Sequence, residues 1–224
     1  MRIFIKIILG IILSFYLFPI GFTFLPPTLN TKMILAILGS IVFIFDNSRI
    51  YDLKININLV ASIFIAICFS LICYYASDYN YTDDYSYATY IGSFFVWLSG
   101  AYFVGWSFRH IYGEFSFRQL AYYLIGVCVA QCLIALLIDN FLFLKVAVDA
   151  VVIQGQEFLD EVDRLYGIGA SLDSAGVRFS VVLIITAGLL MKDEHVRSNS
   201  RIYFLILVSF FIIGIAKSLF LLLA

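Results

Sequence analysis

DNFLFLKVAVDAVVIQGQEFLDEVDRLYGIGASLDSAGVR, residues 139–178, is the long interruption in a chain that otherwise alternates apolar runs with short polar links. Its reading decides the fold. If it is one segment held outside a bilayer, five apolar runs precede it and two follow, and the chain is a bundle of membrane helices with one large outer element. Whatever chemistry the chain performs then has room in this segment and in little else.

Composition limits the answer before any motif is considered. The hydrophobic share is 63% and the charged share 13%, with a mean hydropathy of +1.01. Soluble domains sit near 45–50% apolar and about 25% charged, so the chain reads as an integral membrane protein. The aromatic share of 18%, with 23 Phe and 15 Tyr, suits lipid-facing helices and interfacial belts. A net charge of −1 carries no message by itself, since what matters in a membrane protein is which loops hold the basic residues, and no basic face for nucleic acid is seen. Spanning segments must satisfy every backbone N–H and C=O internally, and no alternating pattern suggests a barrel, so the expected fold is all-α and polytopic.

About 20 apolar residues cross roughly 30 Å of hydrocarbon. That rule gives a single transmembrane domain over 1–224 with seven spans, at 3–25, 29–45, 57–76, 87–108, 119–138, 178–191 and 202–224, and a long outer loop over 139–177. The first run lacks a small-residue cleavage site, which makes it an uncleaved span rather than a signal peptide. Pro26 and Pro27 are expected to end it. The sixth run is short unless 175–177 join it. The stretch 141–153, also short and carrying Lys145 and Asp149, is expected to lie on the membrane or re-enter it.

Orientation follows the basic residues. With the amino terminus in the cytoplasm, Arg2, Lys6, Arg49, Lys54, Arg109, Arg118, Lys192, Arg197 and Arg201 lie inside, and only Lys32, Lys145 and Arg164 lie in outer loops. The outer loops are instead acidic and tyrosine-rich, as in SDYNYTDDYSY at 77–87. Cys68, Cys73, Cys128 and Cys132 fall within spans with no His nearby in sequence, so they read as small buried hydrophobes rather than metal ligands.

Within the opening stretch, Phe158, Leu159, Val162, Leu165 and Tyr166 recur at helical spacing among Glu157, Asp160, Glu161, Asp163 and Arg164. This predicts a short amphipathic helix along the outer surface. Gly167 and Gly169 would stop it, and Ser171, Asp173 and Ser174 offer caps for a helix starting near Ala175. Arg178 would then stand in the first turns of the next span. A cation there either faces a polar ligand or snorkels to the headgroups. Arg164 has Asp160 and Glu161 as neighbours at helical spacing, so it has surface ion pairs as its alternative. Lys217 lies sixteen residues beyond Arg201, about 24 Å up a helix from the inner edge. The three cations approach one membrane face, and together they suit a lipid-linked pyrophosphate, since Arg grips phosphate oxygens in pairs and Lys adds a point charge.

The order of many spans followed by an outer loop with Arg164-Leu165-Tyr166-Gly167-Ile168-Gly169 and Ser174-Ala175-Gly176-Val177-Arg178-Phe179 resembles the bacterial O-antigen and capsular polysaccharide polymerase family, related to O-antigen ligases. The resemblance implies a membrane glycosyltransferase of the bacterial inner membrane. It would join undecaprenyl-pyrophosphate-linked repeat units at the periplasmic face, without a metal or other cofactor. Arg164 and Arg178 would act on the donor pyrophosphate with Lys217 as a further contact, and the flippase and chain-length regulator of the pathway would be partners. Members of the family commonly have ten or more spans, so the chain is expected to be an amino-terminal or truncated portion. Two other classes compete: a small anion transporter or channel subunit lined by Arg178 and Lys217, and a non-catalytic membrane subunit. No clear internal repeat supports the transporter.

Overall fold

The computed structural model describes residues 2–26, 29–48, 57–114, 116–153, 167–169 and 172–221. In chain order these form α1 (Arg2–Leu17), β1 (Gly21–Phe22), α2 (Thr31–Ser48), α3 (Ile57–Tyr79), α4 (Tyr90–Tyr112), α5 (Phe117–Asn140), α6 (Leu142–Val151), β2 (Val152–Ile153), α7 (Leu172–Lys192), α8 (Glu194–Ser198) and α9 (Ser200–Leu221). Among the described residues the architecture is all-α apart from one two-residue strand pairing. Among the described residues, four helices are long and apolar enough to cross a membrane: α3, α4, α5 and the Ala175–Lys192 part of α7. The apolar segments Ile3–Leu17 and Ser200–Ile215 are shorter. The chain is thus a multi-pass membrane protein.

Two compact units divide it, Met1–Thr31 with Ser107–Ala224, and Lys32–Trp106. In the first unit α5 is central. It packs against α1, α7 and α9, and α7 and α9 pack along each other. Its Ala121, Ile125, Cys128, Cys132, Ala135 and Ile138 are buried, a run at spacings of three and four that follows one helix face. Cys128 and Cys132 therefore serve the packing. The start of α5 is set by a capping box. Ser116 Oγ accepts from the Gln119 N–H at 3.3 Å and Gln119 Oε1 accepts from the Ser116 N–H at 3.0 Å, which satisfies two orphan donors at once. The Arg118 guanidinium bonds the Asp193 carboxylate at 2.7 Å, bringing the start of α5 to the end of α7. Asp193 also caps α8, accepting from the N–H groups of His195 and Val196. Burial alone pushes the Asp193 carboxyl up, yet the bonds from Arg118, Val196 and His195 together hold it below the usual carboxylate range.

In the second unit α2 and α4 cross at Gly39, where a Cβ would lie 2.7 Å from the Ser99 carbonyl carbon. Only glycine permits that approach. Beside it the Tyr102 hydroxyl donates to Asp46 at 3.0 Å, and the Phe43 and Tyr102 rings meet edge to face at 5.3 Å. Lys32 sits over the Trp97 ring, 4.4 Å from its centroid. The start of α4 is tied to α3 by the Ile91 N–H, which donates to Ser70 Oγ at 2.9 Å.

Several boundaries differ from the sequence expectation. The first helix ends at Leu17, not near residue 25, because Pro19 lacks an N–H and drives the residue before it out of the helical region. The chain then turns into β1 before it reaches Pro26. The stretch 141–153 forms helix α6 followed by β2, which returns to pair antiparallel with β1, Gly21 opposite Ile153 and Phe22 opposite Val152. At its two ends α5 continues to Asn140 and α7 begins at Leu172, so 175–177 do join the sixth run. The remaining helices run at 31–48, 57–79, 90–112 and 117–140, a few residues from the expected spans, and the last begins at 200 and is described to 221. The amphipathic helix expected over 157–166, with Arg164, lies outside the described residues.

Candidate functional site

The turn after α1 organises one end of the first unit. Thr31 is buried, and its Oγ1 accepts from the Ile20 N–H at 2.9 Å while donating to the Phe15 carbonyl at 3.1 Å. Thr23 reaches the α6 end through its N–H to the Val151 carbonyl at 3.0 Å and its Oγ1 to the Ala150 carbonyl at 3.1 Å. The glycine link found by sequence docks on this turn. Gly169 has a φ of 70°, and a Cβ there would lie 2.8 Å from the Phe18 carbonyl oxygen and 2.9 Å from that of Pro19. Both the conformation and the space require glycine. Ile168 packs against Ile138, with Ile134 and Val148 alongside.

Arg178 stands at this end, half-buried in α7. Its guanidinium carbon lies 5.8 Å from the centroid of the Phe18 ring, within cation–π reach, and Phe18 packs in turn on Phe179 at 5.7 Å. Both rings are fully buried. Lys217 is carried by α9, which is joined to α7 through residues 193–199 and packs along it. Arg178 is about 21 Å above Lys192 and Lys217 about 26 Å above Ser200 at 1.5 Å per residue, so the two backbone positions come within about one turn of the same height. Arg164 falls outside the described residues.

A second feature went unnoticed in the sequence. Between α1 and α5 runs a groove of about 750 Å³ whose lining repeats at helical spacing: Lys6, Ile7, Gly10, Ile11 and Ser14 from α1, and Gln119, Tyr122, Tyr123, Gly126, Val127, Ala130, Gln131 and Ile134 from α5, with Tyr112 from the end of α4. Its polar groups gather at two levels. At the α5 start the Tyr112 and Tyr123 hydroxyls share a hydrogen bond of 2.7 Å, and the Tyr123 ring meets the buried Phe108 edge to face at 5.0 Å. Lys6 lines the same end. Deeper, Gln131 is 3% exposed, and its Nε2 donates to the Ile168 carbonyl at 3.0 Å and to Ser14 Oγ at 3.4 Å. The Ile168 carbonyl can only accept, which settles which end of the amide faces it. Gln131 Oε1 and the Tyr122 hydroxyl are buried without a hydrogen-bond partner. A glutamine in an apolar span was the available signal, and its pairing with Ser14, 117 positions away, kept it out of reach of local pattern.

No protein-family model, curated protein or solved structure matches the chain.

Proposed function

We propose that the protein polymerises undecaprenyl-pyrophosphate-linked oligosaccharide repeat units into a surface polysaccharide, at the periplasmic face of the bacterial inner membrane. The proposal takes seven spans with the amino terminus in the cytoplasm, so that the end carrying Phe18, the 167–169 link and Arg178 faces outward. The observation that carries it is Arg178: a half-buried guanidinium at the end of a membrane helix, braced on the ring of Phe18, close in height to Lys217. Cations at that depth meet the phosphates of a lipid-linked donor where water is scarce and charge–charge attraction is strong.

In the transfer, a sugar hydroxyl of the acceptor attacks the anomeric carbon of the donor. The glycosidic bond forms as the bond to the pyrophosphate oxygen breaks, and undecaprenyl pyrophosphate leaves. Arg178, with Arg164 and Lys217, offsets the charge that grows on the leaving pyrophosphate. The hydroxyl proton passes to a carboxylate of the outer segment, among Asp160, Glu161, Asp163 and Asp173.

The test is Arg178→Ala in a strain that depends on this chain for its glycan. Long chains should disappear while single repeat units still reach the surface, and Arg178→Lys should restore only part of the ladder because a point charge replaces a two-pronged grip. An unaltered ladder in Arg178→Ala sinks the proposal.

A further inference from the structure

We infer that Gln131 is a positioning residue for Arg178: its amide holds the Phe18 backbone from both sides and so fixes the ring against which the guanidinium lies. The consequence for glycosyl transfer rests on the proposed function, whereas the coupling of the two residues does not.

Two routes run from one nitrogen to one residue. Gln131 Nε2 donates to Ser14 Oγ at 3.4 Å, and the Ser14 carbonyl accepts from the Phe18 N–H at 2.7 Å. The same Nε2 donates to the Ile168 carbonyl at 3.0 Å. The next residue, Gly169, lies so close to the turn after α1 that a Cβ would stand 2.8 Å from the Phe18 carbonyl oxygen and 2.9 Å from that of Pro19. The amide side and the carbonyl side of Phe18 are thus both tied to Gln131. From there the path is short. The Phe18 ring centroid is 5.8 Å from the Arg178 guanidinium carbon and 5.7 Å from the ring of Phe179, the neighbour of Arg178 on α7. A shift of the Phe18 backbone therefore moves the ring against both.

An amide at this place is otherwise unfavourable. Gln131 lies within a span, nine residues before the end of α5, about 14 Å along the helix. Its Oε1 is buried without a hydrogen-bond partner. A leucine would fill a similar volume and leave no polar oxygen unpaired. What leucine lacks is a donor for the Ile168 carbonyl, a piece of non-helical backbone packed on Ile138 among the helices, where lipid offers no hydrogen bond. The two N–H bonds of an amide nitrogen match the two acceptors, Ser14 Oγ and the Ile168 carbonyl.

The experiment follows modification of Arg178 by the arginine reagent phenylglyoxal in the purified full chain in detergent, read by mass spectrometry, with the exposed Arg201 as internal reference. Gln131→Leu should raise the rate at Arg178 relative to Arg201 by about two- to tenfold, the range that one lost hydrogen bond gives a local opening. Gly169→Ala disturbs the same link at its contact with Phe18 and should act in the same direction. Because both work through one link, the double variant should react little faster than the faster single variant, whereas independent defects would multiply. An unchanged rate at Arg178 in Gln131→Leu, a rise shared equally by Arg201, or multiplied effects in the double variant would each overturn the inference. In the glycan assay, Gln131→Leu should shorten the ladder that Arg178→Ala abolishes. A full ladder in Gln131→Leu beside none in Arg178→Ala overturns the positioning role alone, while an unaltered ladder in Arg178→Ala removes the glycan reading and leaves the reactivity result standing.

Discussion

Replacing Gly39 with alanine adds one methyl group at a close helix crossing in the second unit. The new Cβ would run into the Ser99 carbonyl oxygen and would stand 2.7 Å from the Ser99 carbonyl carbon and 3.3 Å from Phe103 Cβ, whereas carbon atoms rest at about 3.5–4.0 Å. Relief requires α2 and α4 to part by more than about 1 Å. Overpacking of this kind costs about 1–3 kcal/mol. Parting the helices also stretches the 3.0 Å bond from Tyr102 to Asp46, a further 0.5–1.5 kcal/mol or about that. Against this, alanine improves helix propensity over glycine by about 1 kcal/mol. The net loss is about 1–3 kcal/mol, which at roughly 2–4 °C per kcal/mol lowers the melting temperature by about 2–12 °C. Thermal unfolding in detergent, followed by the fluorescence of Trp97 and Trp106, reads this directly, since both tryptophans lie on α4. Gly188→Ala is the control. No atom lies within 4 Å of its Cβ position, so that variant should melt at the wild-type temperature or slightly above it. A Gly39→Ala protein as stable as the control would refute the steric account of the crossing.

Two further outcomes follow from hydrogen bonds. Thr31→Val keeps the shape but removes the partner of the Ile20 N–H, leaving a buried donor unpaired at about 1–3 kcal/mol; amide hydrogen exchange at Ile20 should accelerate and the melting temperature should fall. Asp193 has its folded-state pKa depressed below 3.8, so its contribution to stability is present above the unfolded value and is lost as pH falls through the folded one. Wild-type stability should therefore decline below about pH 4, and Asp193→Asn, which can still cap α8 but cannot pair ionically with Arg118, should lack that portion of the decline in a melting series over pH.

Much of the helical architecture was readable because lipid leaves the backbone no other way to satisfy itself, so each long apolar run had to be a helix. Where the pattern failed, the causes are local or distant. Pro19 is surrounded by apolar residues, and hydropathy alone carries the first span through it, although its missing N–H and its restriction on Phe18 end the helix there. The β1–β2 pairing joins two residues to two others, too few for a period-two signal to register. Gly167-Ile168-Gly169 was visible as a break, and the left-handed Gly169 is what a glycine at such a position affords, but its docking on the Phe18 and Pro19 carbonyls depends on a turn nearly 150 residues earlier. The same holds for the groove. Lys6 reads as a flanking charge and Gln131 as an isolated amide until α1 and α5 are side by side. The place of Arg178 near the start of a helix was readable, whereas its brace, Phe18, is one of many phenylalanines and carries no mark of its own.

The discontinuity of the first unit has a consequence for biogenesis. Its opening helix is synthesised first, yet the helices that bury it and the strand that pairs with Gly21–Phe22 come only after Lys32–Trp106 have been made. At roughly 5–20 residues per second, the interval between residue 21 and residue 153 is about 7–26 s. Through that time α1 must wait in the insertion machinery or in lipid with Ser14 still lacking Gln131. A chaperone or insertase that shelters a lone helix bearing a lysine would thus act on this protein early, and a stall placed before α5 should leave α1 as the segment most readily extracted from the membrane.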